Sequence, residues 1–248
     1  MTLLQDQTYS ERRWPGRFIQ RSGSRKEGSI MKWLLWREAR QNQMILYTGL
    51  VLLLLPYVVA EVTRVIMGYG FITGIVVHNC SLFSLALSQL TVVLLAGNAF
   101  AGERANRSAE YIAFLPLKRS QLLASKLYLS LIVFAITWGV NLLLYFSSNL
   151  MHRKEPMALL IIAMTGVAFY GVAWLISSFQ SSPTFAIGGG LVAPLIVAMT
   201  LTLIVENMES RTEELRVFFQ MCYVCISGIL GTVSFGIGTV YYLQRKEP

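Results

Sequence analysis

The sequence predicts an all-α integral membrane protein with six transmembrane helices, and three observations support this. Six long stretches contain no Asp, Glu, Lys or Arg, although the chain has 21 basic and 13 acidic residues. Hydrophobic residues make up 54% of the chain, and its mean hydropathy is +0.55. The basic residues are concentrated in alternate connecting segments. The predicted spans are Met44–Ala60, Val76–Ala101, Leu127–Ser148, Met157–Ser178, Thr184–Val205 and Val217–Leu243.

Each stretch is apolar on all sides, unlike the amphipathic helices of a soluble core. A soluble helix presents a polar stripe at helical spacing, whereas these stretches show none. A helix rises about 1.5 Å per residue, so each stretch is long enough to cross a hydrocarbon layer roughly 30 Å thick. Transmembrane barrels show alternating segments of about ten residues, and the sequence lacks that pattern. The stretches are therefore predicted to be spanning helices.

The distribution of Lys and Arg predicts the orientation of the spans. With a cytoplasmic N-terminus, 16 basic residues fall on the inner side and five on the outer side. Basic residues in short loops resist translocation, which favours this orientation and places both termini in the cytoplasm. The formal net charge of +8 is accounted for by topology and by anionic membrane lipids. We therefore expect no nucleic-acid partner.

The N-terminal residues divide into a tail and an amphipathic segment. Residues 1–30 are polar and basic, with too little apolar surface to offset the entropy of ordering, so a disordered tail is predicted. Residues 31–40 combine apolar side chains with cations, which is typical of an interfacial helix lying in the headgroup region. The alternative is that residues 31–40 form the cytoplasmic end of the first span. The candidate interfacial residues are Trp33, Trp36, Arg37 and Glu38.

The longest interior interruption, residues 102–126, is predicted to be cytoplasmic and to contain a short helix. Ser108 is placed to cap the N-terminus of that helix, and Glu110 suits the positive end of its dipole. Pro116 ends the helix, and Ser120 is expected to cap the third span. Apolar side chains between the two caps would face water, which indicates a partner protein. These side chains belong to Tyr111, Ile112, Phe114 and Leu115.

An ordered set of residues therefore follows the second span: an acid, a Ser-x-Glu pair, a Leu-Pro pair, a basic pair and a later lysine. They are Glu103, Ser108-x-Glu110, Leu115-Pro116, Lys118-Arg119 and Lys126. This pattern resembles the coupling segment of type-2 ABC-transporter permeases. Arg107 and Ser108 depart from the family pattern, in which glycine and threonine are usual. The interfacial helix and six-span layout are similar too, so the resemblance covers residues 31–248.

The resemblance implies that residues 31–248 form a permease domain of an ABC exporter in a prokaryotic cytoplasmic membrane. The short helix would dock onto a separate P-loop ATPase subunit, which binds ATP and magnesium, while the chain itself binds no cofactor. A second permease subunit would complete the pathway within the membrane lipids, as a homodimer or a heterodimer. The implied ATPase-coupling surface comprises Glu103, Ser108, Glu110, Tyr111, Phe114, Leu115, Pro116 and Arg119.

Other classes of protein would need sequence features that can be looked for directly. The sequence has no Gly-x-x-x-x-Gly-Lys-Ser/Thr phosphate loop, no catalytic motif and no acidic residue in any apolar stretch, so we expect neither an ATPase nor a membrane enzyme. A secondary transporter normally has ionisable groups at membrane depth, where only His78 is a candidate. A membrane scaffold or assembly factor is an alternative, because it too would use an apolar loop. The sequence does not identify a substrate.

The predicted spans also contain polar and small residues. Gln89, Asn98 and Asn141 are expected to form hydrogen bonds between helices, with substrate contact as the second interpretation. Small residues recur four apart along the last span, which predicts close helix packing within the subunit or between subunits. A gating hinge is hypothesised in the fifth span, where glycine and proline weaken the helix. The hinge residues are Gly188, Gly189, Gly190 and Pro194.

An abrupt change of composition at Met31 motivates the hypothesis that translation begins there. We expect the intact mass of the protein purified from its own membranes to correspond to a chain that starts at Met31. An intact mass that includes the first 30 residues would contradict this hypothesis.

Overall fold

A computed structural model describes residues 23–68, 74–106, 117–147, 155–206 and 213–244, and within these ranges the regular structure is entirely helical. Six of the helices are long and apolar enough to cross a membrane, which confirms the predicted fold class. Which ends face the cytoplasm stays a prediction. The helices are α1 (Gly23–Gln41), α2 (Gln43–Met67), α3 (Gly74–Asn98), α4 (Ala101–Ala105), α5 (Arg119–Ser147), α6 (Glu155–Phe179), α7 (Pro183–Glu206) and α8 (Glu213–Gln244).

The spanning helices extend beyond the apolar stretches of the sequence. Glu61 and Arg64 lie in the last turns of α2, and Lys126 lies two turns inside α5. These helices therefore include charged residues beyond the apolar stretches, while the stretches themselves contain none. The helix ends where a local signal stops it: α2 ends at Gly68, which has a φ of 66° and donates its N–H to the Arg64 carbonyl.

The start of α5 corrects the predicted cap. The helix begins at Arg119, so Ser120 lies inside its first turn and is not the cap. The Gln121 side chain instead reaches back and accepts a hydrogen bond from the Lys118 N–H at 3.2 Å. A side chain in the first turn that bonds to the preceding backbone N–H is one half of a capping box.

Helix α1 begins at Gly23, upstream of Met31, while residues 1–22 lie outside the described residues. Its character is amphipathic: Leu34 is fully buried, whereas Trp33 and Trp36 are exposed. The position of α1 at a membrane interface stays a prediction, as does the division of the chain at residue 31. Helix α1 packs against α5 and is separated from α2 by one residue, Asn42.

Helix α3 is the centre of the bundle. It packs against α2, α5, α6 and α7, and it has the largest buried share of the six spans. Its contact with α7 is close at Gly97, where a Cβ atom would collide with Ile187. The remaining spans are arranged around this helix.

The closest helix pair is α6 and α8, which touch through glycines. A Cβ atom built on Gly171 would collide with the Gly231 carbonyl, and one built on Gly231 would collide with the Val167 carbonyl. The predicted close packing of the last span therefore occurs within the subunit. Gly236 has open space at its Cβ position, so the small residues of this span do not all serve the same contact.

The predicted hinge lies in a helix that is continuous from Pro183 to Glu206, with Pro194 inside it. A side chain at Gly190 would collide with Ala173 of α6, and Gly189 lies against Ile176. These two glycines therefore permit close packing between α6 and α7, and hinge motion stays a prediction.

The glycine contacts generate a first stability prediction. Gly231→Ala forces α6 and α8 apart and should cost about 2 kcal/mol, the usual scale of an overpacked core. The Tm in detergent, followed by size-exclusion chromatography, should fall by about 5 °C. Gly236→Ala is the matched control on the same helix, and its Tm should stay unchanged or rise because alanine favours a helix. An equal loss in both variants would contradict the proposed contact.

Candidate functional site

Four charged side chains meet where α1, α4 and α5 come together, and we call them the charge cluster: Arg37, Glu38, Glu103 and Lys126. The Arg37 guanidinium donates to the Glu38 carboxylate at 2.5 Å and to that of Glu103 at 3.1 Å. The Lys126 ammonium lies 2.8 Å from the Glu103 carboxylate and 3.3 Å from that of Glu38. Each cation thus bridges both acids, and the formal charges of the cluster sum to zero.

The charge cluster is largely closed to water. The side chains of Glu38, Glu103 and Lys126 are 2%, 7% and 3% exposed, and that of Arg37 is 19% exposed. The Lys126 ammonium also lies 5.8 Å from the centre of the Phe100 ring, a cation–π arrangement. Charges taken out of water are tolerated only when their partners are well placed, so removing one member leaves another buried and unpaired.

Glu103 is positioned by the turn between α3 and α4. The Ser177 hydroxyl of α6 accepts hydrogen bonds from the backbone N–H groups of Phe100 and Ala101, at 3.0 and 3.1 Å. A side chain of another helix therefore caps the N-terminus of α4. Gly102 lies under the Asn98 amide, where a Cβ atom would collide with it. These contacts hold the first turn of α4 against α6.

An arginine on each side of residues 107–116 binds backbone carbonyls at the end of a span. The Arg104 guanidinium donates to the Ser178 carbonyl at 2.7 Å and to the Gln180 carbonyl at 2.9 Å, at the C-terminus of α6. Arg119 donates to the Tyr242 carbonyl at 3.3 Å, near the C-terminus of α8. Carbonyls at the end of a helix lack partners within that helix, and a cation suits that end of the dipole.

Two of the polar residues in the spans join helices, as expected. The Asn98 amide donates to Asn42 at 2.7 Å, and the Tyr57 hydroxyl donates to Asn141 at 2.8 Å. Asn42 in turn donates to the Glu38 carbonyl at 2.9 Å, which links this chain of amides to the charge cluster. Gln89 behaves differently, because its Nε2 is buried without a hydrogen-bond partner in the described part of the chain.

The structure describes only part of the predicted coupling surface. Glu103 and Arg119 flank it, whereas six predicted residues lie outside the described residues, so the surface as a whole stays a prediction. The Glu103 carboxylate is buried and paired within the charge cluster. The six residues outside the described ranges are Ser108, Glu110, Tyr111, Phe114, Leu115 and Pro116.

The predicted interfacial residues separate into two groups. Trp33 and Trp36 are about half exposed, and the guanidinium groups of Arg37 and Arg40 lie over their rings at 5.9 and 5.2 Å. Arg37 and Glu38 instead belong to the charge cluster. Helix α1 thus has an aromatic side that faces outward and a charged side that faces the bundle.

Sequence reasoning did not place Lys126 or Ser177 at this site. Lys126 is part of the family pattern, but the apolar stretch of the sequence begins only after it, at Leu127, whereas α5 begins seven residues before it, at Arg119. Ser177 gave no signal, because a cap supplied by a distant helix cannot be identified from local spacing.

His78 is buried and stacks on Tyr145, with ring centres 4.3 Å apart. Both rings lie between α3 and α5, where stacking offsets the loss of hydration. Among the described residues, no group of three His, Cys, Asp or Glu side chains is placed to hold a metal ion.

Comparison with known families gives one match over most of the chain. A family model described as ABC-2 family transporter protein matches residues 57–243. The match covers the later part of α2, all the other spans, and the segment between α4 and α5. Searches of curated proteins and of solved structures returned no match.

The charge cluster generates a prediction about stability. Lys126→Met leaves two buried carboxylates with one cation and should cost about 3–5 kcal/mol. Adding Glu103→Gln restores neutrality with the Arg37–Glu38 pair, so the double variant should recover about 1–2 kcal/mol. Thermal unfolding in lipid nanodiscs measures both effects.

Lys118→Met is the matched control, because Lys118 is an exposed lysine just before α5. Its Tm should stay within about 1 °C of the unaltered chain, as for most surface changes. If the losses from Lys126→Met and Glu103→Gln simply add, the two side chains do not act as a pair.

Proposed function

The chain belongs to the ABC-2 family of transporter proteins, and from that premise we propose that it is the membrane-spanning permease subunit of an ATP-driven exporter. A second permease subunit, identical or different, completes the translocation pathway with it. The complex lies in a prokaryotic cytoplasmic membrane, with both termini of this chain in the cytoplasm. The distribution of basic residues supports this orientation.

One observation supports a coupling role most directly: the helices on either side of residues 107–116, α4 and the start of α5, are tied to the rest of the bundle by charged side chains. Glu103 joins α4 to α1 and α5, Arg104 joins α4 to the end of α6, and Arg119 joins the start of α5 to the end of α8. A displacement of α4 and the start of α5 therefore acts on α1, α6 and α8 through these charged groups. We propose that an ATPase subunit pushes on residues 107–116 and that these contacts carry the movement into the spans.

Hydrolysis is proposed to occur on a separate ATPase subunit, which binds ATP and magnesium. The 248 residues contain no Gly-x-x-x-x-Gly-Lys-Ser/Thr phosphate loop, and the segments between spans are short. In the proposed complex, the apolar side chains of Tyr111, Phe114 and Leu115 fill a groove on the ATPase. Glu110 lies at the N-terminus of the short helix, where its charge favours the helix dipole.

The test is affinity purification of the chain from its own membranes in mild detergent, with mass spectrometry and an ATPase assay on the eluate. A P-loop ATPase should co-elute, and it should be lost from a variant that carries Glu110→Lys and Phe114→Ala. Repeated elution of the chain without an ATPase would overturn the proposed coupling and favour a scaffold or a secondary transporter.

Reconstituted transport gives a sharper prediction for a single residue. Glu110→Lys places the wrong charge at the helix N-terminus, so export should fall at least about tenfold while ATP hydrolysis continues and membrane insertion is unchanged. Glu209→Lys is the matched control, because it reverses the charge of an acid between α7 and α8, in a segment predicted to lie on the outer side of the membrane. Export at the unmutated rate in Glu110→Lys, or an equal loss in both variants, would refute the coupling role.

A further inference from the structure

A cavity of about 490 Å³ lies between α3, α5, α6 and α8, and it opens on the surface of the bundle at Leu131 and Thr232, which are exposed. It exists because α5 packs along α3 and α1, while α6 packs along α8, so that α5 and the α6–α8 pair are not in close contact. Small residues on both sides, Ser130 and Gly166 among them, leave the gap unfilled. The rest of the lining is mainly apolar and includes Val92, Phe134 and Phe235.

Two polar groups on this lining, the Gln89 amide and the Tyr170 hydroxyl, have no hydrogen-bond partner within the described residues. Gln89 is 5% exposed, and its Nε2 makes no hydrogen bond within the described residues. Its amide lies over Gly166, which also lines the cavity and has no side chain to cover it. A buried amide donor without an acceptor costs free energy, and in the apolar interior of a bundle that cost is not relieved by bulk water. The Tyr170 hydroxyl, on the same lining, is likewise buried without a partner among the described residues, so the cavity is an apolar space with two unused donors.

The depth of Gln89 restricts what supplies the acceptor. The residue lies nine positions before the end of α3 at Asn98, or about 14 Å along the axis, which places it close to the middle of the span. Ester carbonyls of phospholipids lie near the boundary of a hydrocarbon layer roughly 30 Å thick, and acyl chains carry no acceptor deeper than that. A lipid in its ordinary position therefore leaves the Gln89 donor unpaired.

We propose that this cavity binds a small apolar molecule that carries a carbonyl-type acceptor within its apolar body. The apolar walls bind the body of the ligand, and the Gln89 amide donates to its oxygen. The lining residues all belong to one chain, so the site needs neither the second permease subunit nor the ATPase of the proposed function. Binding can be tested in the absence of transport, and the failure of either proposal leaves the other standing.

Benzophenone is a suitable probe, since it is an apolar ketone and attaches to nearby C–H groups under ultraviolet light. The chain in lipid nanodiscs is labelled over a range of probe concentrations, and the attachment sites are mapped by peptide mass spectrometry. Labelling at Phe134 or Val167 should saturate. Labelling at Met199, a largely exposed residue of α7, should rise in proportion to the probe and serves as the lipid-facing control.

Competition tests the hydrogen bond. Dibenzyl ketone and diphenylpropane have the same skeleton and differ only by the carbonyl, so the ketone should suppress cavity labelling at a concentration about fivefold lower. This comparison uses the unaltered chain and does not depend on any variant. Equal competition, or cavity labelling that never saturates, would overturn the proposal.

Two further arms assign the donor and exclude a lipid. Gln89→Leu should abolish the difference between the competitors, whereas Thr91→Val should keep it. Thr91 is the matched control, because its hydroxyl is also buried without a partner on α3 but lies against Gly49, away from the cavity. Labelling should be equal in diester and diether phospholipids. Much stronger labelling in diether lipid would mean that a lipid carbonyl occupies the site, and a ketone preference that survives Gln89→Leu would remove Gln89 from it.

Discussion

The pairing of two buried carboxylates with two cations determines the arrangement of the helices at one end of this protein. Glu38 and Glu103 are buried on different helices, and neither is tolerated there without Arg37 and Lys126. Because each cation contacts both acids, helices α1, α4 and α5 have one mutual position that satisfies all four groups. The amide chain through Asn42 then fixes the first span relative to this point.

The opposite principle governs the other side of the bundle, where helices approach through glycine and no charge is involved. Without a hydrophobic driving force between helices in lipid, close backbone contact and dispersion provide the stability. Gly171 and Gly231 bring α6 and α8 together, and Gly190 brings α7 against α6. Helix α3 lies between the two kinds of packing and contacts both, which explains why it is the most buried span.

The six spans could be predicted from the sequence because transfer into hydrocarbon is a property of each segment alone. Helix ends were predicted less well, since capping by Gln121 or Gly68 extends a helix past its apolar stretch and past charges such as Lys126. The charge cluster could not be predicted from the sequence, because residues separated by more than 80 positions meet there only after folding. The same limit applies to Gln89, which looks like any other span amide until its neighbours are known.

The glycine contact between α6 and α8 has a mechanical consequence. Two helices that touch backbone to backbone have few alternative packings, so α6 and α8 move as one rigid unit. Helix α5 is separated from this unit by the cavity and contacts it through Arg119 at one end. Movement of α5 relative to the α6–α8 pair is therefore easier than movement within the pair, and it changes the width of the cavity. The size of a molecule bound in the cavity would then set how closely α5 approaches the α6–α8 pair.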